Sequence, residues 1–576
     1  MNDLRSTLLS RSGTAARRAG FVLGGLLLSA CGSKSDAPAP VMGAAGAGGS
    51  SGAAQSSGGS GGSSLPGAGQ NAGAGVGAVA GQSGNSGGPG SAGAAQGGAA
   101  QGGAAQGGAA QGGAASLSDV SITTHAVALS AGKAFNIADD FFDDGFIPPS
   151  PLANFGFQTP IVPVVRPDGS LDVAWLDYTG GKGKPFALPS LGMIYITHID
   201  AALGTGTTVA TGIQSYRLLG FTVDPAGAFY LAYCVDHPFK TDVADDPNNV
   251  DGNELRIAKS SSPDFAGKAW DSLVFGDQDN RKDRSKGNAG AAGSGVLGFD
   301  AMNQKLVLYV AHQMAWGENG ADNGIRHQAG YFGLFDPATG KQTAPGGNAT
   351  QDTGAGWFYS HNFDQRLLID AGVSYTLAHG DAYDRQLGFS AWTLDSYTKK
   401  NATTFDVAYF PITGTEGDNK TDTETGQFIK LSDGRFVIIH TSSQGRTARD
   451  VRVVLANGTT GAKQSEAWLT TNTGNLQATM PKVELLKDQL FVSYGLWDST
   501  RTTNKKIDWY SLLLDMTLLP ASAPKALTGV EFVTSSPLFR FSGGPNAGSV
   551  GWVSGNAGHT LTVGVASSGA PGPSSL

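Results

Sequence analysis

Residues 357–385 hold the densest set of acid–base and anion-binding side chains in this 576-residue chain. They read Trp357-Phe358-Tyr359-Ser360-His361-Asn362-Phe363-Asp364-Gln365-Arg366, and then His379-Gly380-Asp381-Ala382-Tyr383-Asp384-Arg385. An imidazole exchanges a proton near neutral pH. A guanidinium holds a carboxylate or sulfate through two parallel hydrogen bonds. His361 and His379, with Arg366, Tyr383 and Arg385, could therefore bind an acidic group or remove a proton beside one. The plainer alternative is that Asp364, Arg366, Asp381 and Arg385 form a network of salt bridges between structural units.

Such groups act together only if a scaffold gathers strand ends at one place. From about residue 118 to 566, short runs of Val, Ile, Leu, Phe and Tyr alternate with polar residues. Asp-Gly, Pro-Asp-Gly and Asn-Gly turns cut them, which is the pattern of strands and hairpins. No long stretch carries a helical period. One unit, a strand, a tight turn and a returning strand, recurs seven times. The pairs are 161–165 with 171–176, 218–223 with 228–234, 296–299 with 305–311, and 363–369 with 373–378. They continue as 428–431 with 436–439, 482–486 with 490–494, and more weakly 538–541 with 549–553. Small antiparallel sheets recurring every roughly 40–65 residues predict an all-β fold, a seven-bladed β-propeller over 118–566. Residues 120–130 would supply a closing strand for its last blade. A two-sheet sandwich is the alternative, but it does not account for the recurrence.

In a blade the second strand returns to the end where the first began. The residues at or just after the end of each second strand are Asp177, Asp236 with His237, His312, His379, His440 and Asp498. His361 precedes the first strand of the fourth unit. Five of the nine histidines are thus expected around one mouth of the ring, where pockets in closed ring folds lie. Short polar side chains also sit at strand ends for purely structural reasons, so no single histidine here is specific.

Three resemblances bear on this reading. Leu255–Ser260 leads into Ser262-Pro263-Asp264-Phe265-Ala266-Gly267-Lys268-Ala269-Trp270, which resembles a degenerate Asp-box of sialidase-like propellers. It carries one extra residue before the glycine. The likeness implies a structural hairpin and not an activity. His361 and His379 are placed similarly to the paired histidines of seven-bladed polysaccharide lyases. That resemblance implies a His or Tyr that removes a proton beside a uronate carboxylate while Arg or a metal stabilises the anion; it covers one blade. A sialidase is disfavoured, because Gln158-Thr159-Pro160-Ile161-Val162-Pro163 stands where that family has an Arg-Ile-Pro strand.

The third resemblance sets the address. Arg5, Arg11, Arg17 and Arg18 precede the apolar run Phe21–Leu28, and Leu28-Ser29-Ala30-Cys31 closes it. This is the layout of a secretory signal, and its apolar run is too short to span a bilayer. With a cysteine after small residues it resembles a bacterial lipoprotein lipobox. The resemblance implies removal of residues 1–30, lipid on Cys31 and membrane attachment through that lipid in the cell envelope. Gly32 follows the cysteine in place of Asp, which by the same likeness favours the outer membrane. Residues 31–117 hold almost only Gly, Ala, Ser and Gln, with Ala-Ala-Gln-Gly-Gly in tandem. They cannot bury enough apolar surface to offset chain entropy and read as a disordered tether with a reach of about 50 Å. Residues 567–576 read as a disordered tail.

Composition narrows the partners. The net charge is −8 with no basic cluster, which argues against nucleic acid. Of two cysteines, Cys31 is the expected anchor, so Cys234 has no intrachain disulfide partner and reads as a buried inert thiol. The cofactor is left unknown. Mouth histidines could bind a transition metal, although no HxH or HExxH spacing occurs. The acidic insertion 242–254 could take Ca²⁺ but breaks the EF-hand pattern and reads better as a solvated loop. The leading expectation is a tethered propeller whose His/Asp-rich mouth binds a polysaccharide or a protein. A carbohydrate-active enzyme such as a lyase comes second, and a structural or envelope-assembly role third.

Overall fold

The computed structural model describes residues 120–132, 161–177, 192–215, 217–236, 253–275, 295–315, 326–344, 362–380, 386–394, 405–411, 423–500, 507–530, 536–555 and 559–568. The expected leader, Cys31, the tether and most of the tail lie outside them.

Seven four-stranded antiparallel sheets form the blades. The first strand in the chain, β1 (Val120–Ala128), belongs to the last blade. Blade one is β2 (Ile161–Val165), β3 (Leu171–Asp177), β4 (Gly192–Ile199) and β5 (Gly206–Ser215). Blade two is β6 (Arg217–Val223), β7 (Phe229–Asp236), β8 (Asn253–Ser260) and β9 (Lys268–Phe275). Blade three is β10 (Gly295–Asp300), β11 (Lys305–Ala315), β12 (Arg326–Phe335) and β13 (Gln342–Ala344). Blade four is β14 (Asn362–Asp370), β15 (Val373–Gly380), β16 (Gln386–Trp392) and β17 (Phe405–Pro411). Blade five is β18 (Glu424–Lys430), β19 (Phe436–Ser442), β20 (Asp450–Ala456) and β21 (Lys463–Trp468). Blade six is β22 (Leu476–Leu486), β23 (Gln489–Asp498), β24 (Asp508–Leu514) and β25 (Lys525–Leu527). Blade seven joins β26 (Phe539–Arg540), β27 (Val550–Gly555) and β28 (Thr560–Ser568) to β1.

Successive first strands adjoin from β2 through β6, β10, β14, β18 and β22 to β26, and β2 meets β27, so the blades close into a ring. This is the expected seven-bladed propeller, and it rules out the sandwich. The second strands are apolar on both faces because neighbouring blades cover both. Every residue of β3, Leu171–Asp177, is buried, as is every residue of β19. Each joint between blades holds an apolar layer. Trp175, Val173 and Phe541 fill the joint of blades one and seven; Cys234, Leu297 and Val310 fill that of two and three. Cys234 is a buried thiol in that layer. Trp175 also donates its indole N–H to Thr197 Oγ1 at 2.9 Å and stacks on Tyr195 at 4.6 Å. Its polar atom is thus satisfied inside the core.

The first strands of blades two, four, five and six each bulge near their start, between Leu218/Gly220, Phe363/Arg366, Thr425/Phe428 and Thr479/Lys482. A bulge turns the strand more sharply and lets neighbouring backbones approach. Gly426 occupies one of them, where a Cβ would stand 2.5 Å from Pro481 O in the next blade.

Two devices close the ring. β1 pairs with β28 from Val120↔Ser568 to Ala128↔Thr560, as expected from the sequence, so the beginning and end of the propeller share one sheet. On the inner side, segment 536–538 enters the very short β26 and is held by side chains of other blades. The Gln427 side-chain amide donates to Leu538 O at 2.9 Å and accepts from Leu538 N at 2.9 Å. Lys482 Nζ donates to Ser536 O at 2.6 Å, and Ser536 Oγ donates to Ile161 O at 3.1 Å.

Glu484 lies two residues beyond Lys482 on β22. Burial pushes its carboxyl up to about 7, against the opposing pull of the Leu485 N–H and the Arg540 charge. The folded protein therefore keeps a proton that the unfolded chain gives up in the ordinary carboxylate range. Stability should fall as pH rises from about 5 to about 8, by roughly 2 kcal/mol after allowing for solvent screening. Urea unfolding across that range should show this fall in the parent and a flatter profile in Glu484→Gln. An identical slope in the two proteins would contradict the assignment.

Candidate functional site

The two ends of the ring are built differently. At the far end the blades turn back through short segments such as 166–170, 224–228, 371–372, 431–435 and 487–488. Gly169, Gly227 and Gly434 adopt φ of +88°, +89° and +88° there, which glycine takes at low cost. The turns between third and fourth strands lie at the same end and repeat a capping device. Asp200, Asp264, Asp336, Asn457 and Asp515 each accept a backbone N–H a few residues on, from Gly204, Ala266, Ala338, Thr459 and Thr517, at 2.8–3.1 Å. The Ser262 hydroxyl also donates to Asp264 and, with the Ala266 N–H, holds its carboxyl below the ordinary range. Sequence reading singled out the stretch around Asp264 alone. The other four share a sequence signal, an Asp or Asn directly after β4, β12, β20 and β24.

At the opposite end, where first strands begin and second strands finish, the connections are longer. They include 178–191, 237–252, 276–294, 316–325, 345–361 and 412–423. Function concentrates on such connections when a rigid scaffold presents them. His237, His361, Tyr383 and Arg385 belong to them and lie outside the described residues, as does the acidic stretch 242–252. Asp236 ends β7 opposite Asn253. His379 is one residue short of the end of β15, opposite Phe363 and Leu387. His312 lies inside β11 opposite Ala329, because that strand runs on to Ala315.

The remaining expected residues have described surroundings. Asp177 ends β3 and is buried; together with burial, its charge raises the Tyr195 hydroxyl above its ordinary value. Asp498 ends β23 and caps its own turn, accepting Thr500 N at 2.9 Å and Thr500 Oγ1 at 2.6 Å. His440 is 1% exposed, and its Nδ1 lies 3.1 Å from Thr441 O, so it belongs to the floor and not to an open rim. Trp497, which could have offered a sugar-stacking face, is 4% exposed and packs in the core.

Arg366 is spent on architecture. Its Nε donates to Gly426 O at 2.9 Å, its Nη2 to Thr425 O at 3.1 Å and its Nη1 to Gln365 O at 3.1 Å. These bonds tie blade four to the bulged start of β18. Among the described residues the joint is guanidinium to carbonyl; Asp364, Asp381 and Arg385, the other members of the expected salt-bridge network, have side chains outside the description.

What the structure adds is a polar floor under blades five and six. Glu424, Arg449 and Asp450 are 5%, 3% and 1% exposed. Glu424 accepts Thr479 Oγ1 at 2.8 Å and Met480 N at 3.0 Å, with Arg449 Nη1 at 3.9 Å. Asp450 accepts Thr470 Oγ1 at 2.7 Å, Asn472 N at 2.7 Å and Arg446 Nη1 at 3.0 Å. Arg449 N donates to Gln477 Oε1 at 2.8 Å, and the Asn472 amide donates to Arg449 O at 2.7 Å. Buried charges persist only when paired and bonded in this way. The floor fixes segments 443–449 and 469–475, two connections at the mouth end. Among the described residues no group of three or more His, Cys, Asp or Glu side chains could hold a metal ion.

No family model matches the chain, and no curated protein matches its sequence. Among solved structures the chain is similar to a polysaccharide lyase, Uly1, at 10% identity over 77% of this chain and 98% of that one, with a TM-score of 0.34. It is similar to an α-L-arabinofuranosidase from Fusarium graminearum at 14% identity over 61% and 92%, with a TM-score of 0.32. An endo-arabinase from Bacteroides thetaiotaomicron follows at 15% identity over 52% and 93%, with a TM-score of 0.28. At these scores the likenesses carry no inference about activity.

The floor has a measurable consequence. Glu424→Ala strips a buried acceptor from Thr479 and Met480 and leaves Arg449 less compensated. It should cost about 3 kcal/mol in urea unfolding. Glu424→Gln, which keeps one acceptor, should cost less than half as much. Equal costs for the two variants would show that the charge and not the hydrogen bonding matters.

Proposed function

We propose that this protein is a lipid-anchored, extracytoplasmic propeller that binds a glycan at the end of its ring where the first strands begin. One observation carries the reading: apart from 393–404 the far end is occupied by shorter turns, most of them capped, while most of the long connections and most of the expected His, Tyr and Arg residues belong to the near end. A tether with a reach of about 50 Å between Cys31 and the ring suits display away from a membrane surface.

A second reading, a polysaccharide lyase, is favoured by one feature. The β14–β15 hairpin begins directly after His361 and ends one residue beyond His379, so a single hairpin brackets both imidazoles. In that chemistry a base takes the proton next to a uronate carboxylate. The C–O bond to the neighbouring sugar breaks, its oxygen takes up a proton, and the new C=C bond absorbs in the ultraviolet.

Incubating the full chain with a panel of uronate polysaccharides, while following both binding and absorbance, tests the two readings together. Binding without absorbance growth supports the glycan-binding protein. Growth that falls at least 100-fold in His361→Ala and His379→Ala supports the lyase. A folded sample that neither binds nor cleaves any glycan overturns both. For the anchor, cells fed a labelled fatty acid should label the parent and not Cys31→Ser, and that variant should leave the membrane fraction. Label retained in the variant would refute lipidation at Cys31.

A further inference from the structure

Arg446 sits at the mouth end on segment 443–449, between β19 and β20. The segment is pinned throughout. Gln444 N donates to Ser442 Oγ at 3.1 Å, Arg446 N donates to Ser443 O at 2.9 Å, and Gly445 takes φ +68°. The Arg446 guanidinium lies over the Trp468 ring at 4.1 Å, and Arg452 lies over the same ring at 4.8 Å. Two cations on one indole cost electrostatic repulsion that each must offset. Arg452 does so through Glu466 at 2.6 Å, and Arg446 through Asp450 at 3.0 Å.

The two arginines then differ. The Arg452 side chain is 8% exposed and also donates to Gln444 Oε1 at 3.0 Å. The Arg446 side chain is 23% exposed, and its protein bonds leave from Nη1 alone, to Asp450 and, at 3.5 Å, to Thr470 O. The edge formed by Nε and Nη2 is uncommitted. Asp450 is 1% exposed and its acceptor positions are taken by Thr470, Asn472 and Arg446. Other arginines differ in place or in commitment: Arg366 and Arg449 bond within joints, Arg166 and Arg435 pair with aspartates at turns of the far end, and Arg256 commits both Nε and Nη2 to Asp271. A guanidinium held over an indole, with one edge open, is preorganised for two parallel bonds to a planar anion.

We propose that Arg446, held by Trp468 and Asp450, is the subsite that receives an anionic group, a carboxylate or a sulfate, of an acidic glycan at the mouth. This rests on the glycan-binding reading above and names the class of glycan. A chain with a net charge of −8 repels polyanions overall, so such a ligand needs a local, oriented cation. Neutral glycans would gain nothing from this subsite.

Calorimetric titration of the full chain with polygalacturonate, dextran sulfate and neutral dextran tests the proposal and separates the two anion sources. Binding of at least one anionic polymer, weakening between about 50 and about 200 mM salt, is expected, with none of neutral dextran. Arg446→Gln keeps a partner for Asp450 and should weaken the anionic polymer at least tenfold. Arg446→Lys keeps the charge without the fork and should weaken it about three- to fivefold. Unchanged affinity in Arg446→Gln, or dextran bound as well as its sulfate, overturns the subsite while leaving glycan binding intact. No binding of any of the three polymers by the parent also overturns the subsite, and the broader uronate panel then decides whether glycan binding survives. Thermal unfolding of each variant checks that the fold is retained.

Discussion

Ring closure is the constraint on which the rest of this molecule depends. Seven blades must complete a turn with no unpaired edge at the start or end of the chain, and each unpaired strand edge would invite association with other chains. β1 on β28 answers this with a full strand of pairing. The inner side is answered differently. β26 has two residues, too few to hold itself by ladder bonds, so Gln427 and Lys482 reach across from blades five and six to the segment before it. A side-chain amide that both donates to and accepts from one residue's backbone stands in for a missing strand partner. The blade made from both ends of the ring is thus held by residues scattered over more than a hundred positions of sequence.

Closure also decides where chemistry can be placed. The bulges near the start of β6, β14, β18 and β22 bring backbones together at the mouth end. There the joints are filled with polar groups: Arg366 on two carbonyls of β18, and Glu424 on a hydroxyl and an N–H of β22. At the other end the joints carry single polar ties beside the apolar layer, such as Lys430 Nζ to Asp370 at 2.6 Å and the Asn303 amide to Gly372 O at 3.0 Å, and the turns are capped by their own Asp and Asn side chains. The polarity of the ring is therefore a consequence of how it is closed, and it makes one end suitable for recognition.

Much of this was legible in the chain. The seven strand pairs stood out because Val, Ile and aromatic runs are interrupted by Asp-Gly turns at a recurring interval, and both turn chemistry and strand propensity are local. Even the role of 120–130 followed, since a ring needs a partner for its last sheet. What could not be read depends on contacts between blades. Arg366 looked like a ligand for an anion because its neighbours in sequence are histidine and aspartate, yet its neighbours in space are carbonyls of the next blade. Trp497 stands one residue before the end of its strand, yet it is 4% exposed and belongs to the same apolar cluster as Ile507 and Trp509. His312 and His440 read as strand ends in the sequence, but β11 and β19 run on for three and two residues more.

The arginines show what an acidic propeller does with its cations. Placed in joints, a guanidinium satisfies several carbonyls at once and its charge is offset by neighbouring carboxylates, so it adds order without adding an attractive field. Arg366 donates to three carbonyls, and Arg449 lies 3.9 Å from Glu424. Arg446 differs in that it lies at the mouth end and bonds to the protein through Nη1 alone. Orientation without full occupancy has no structural benefit that Arg452, buried on the same indole, does not already supply. A second guanidinium on that ring, kept at the cost of repulsion and partly exposed at the end of the ring rich in long connections, makes physical sense when its open edge has something to hold.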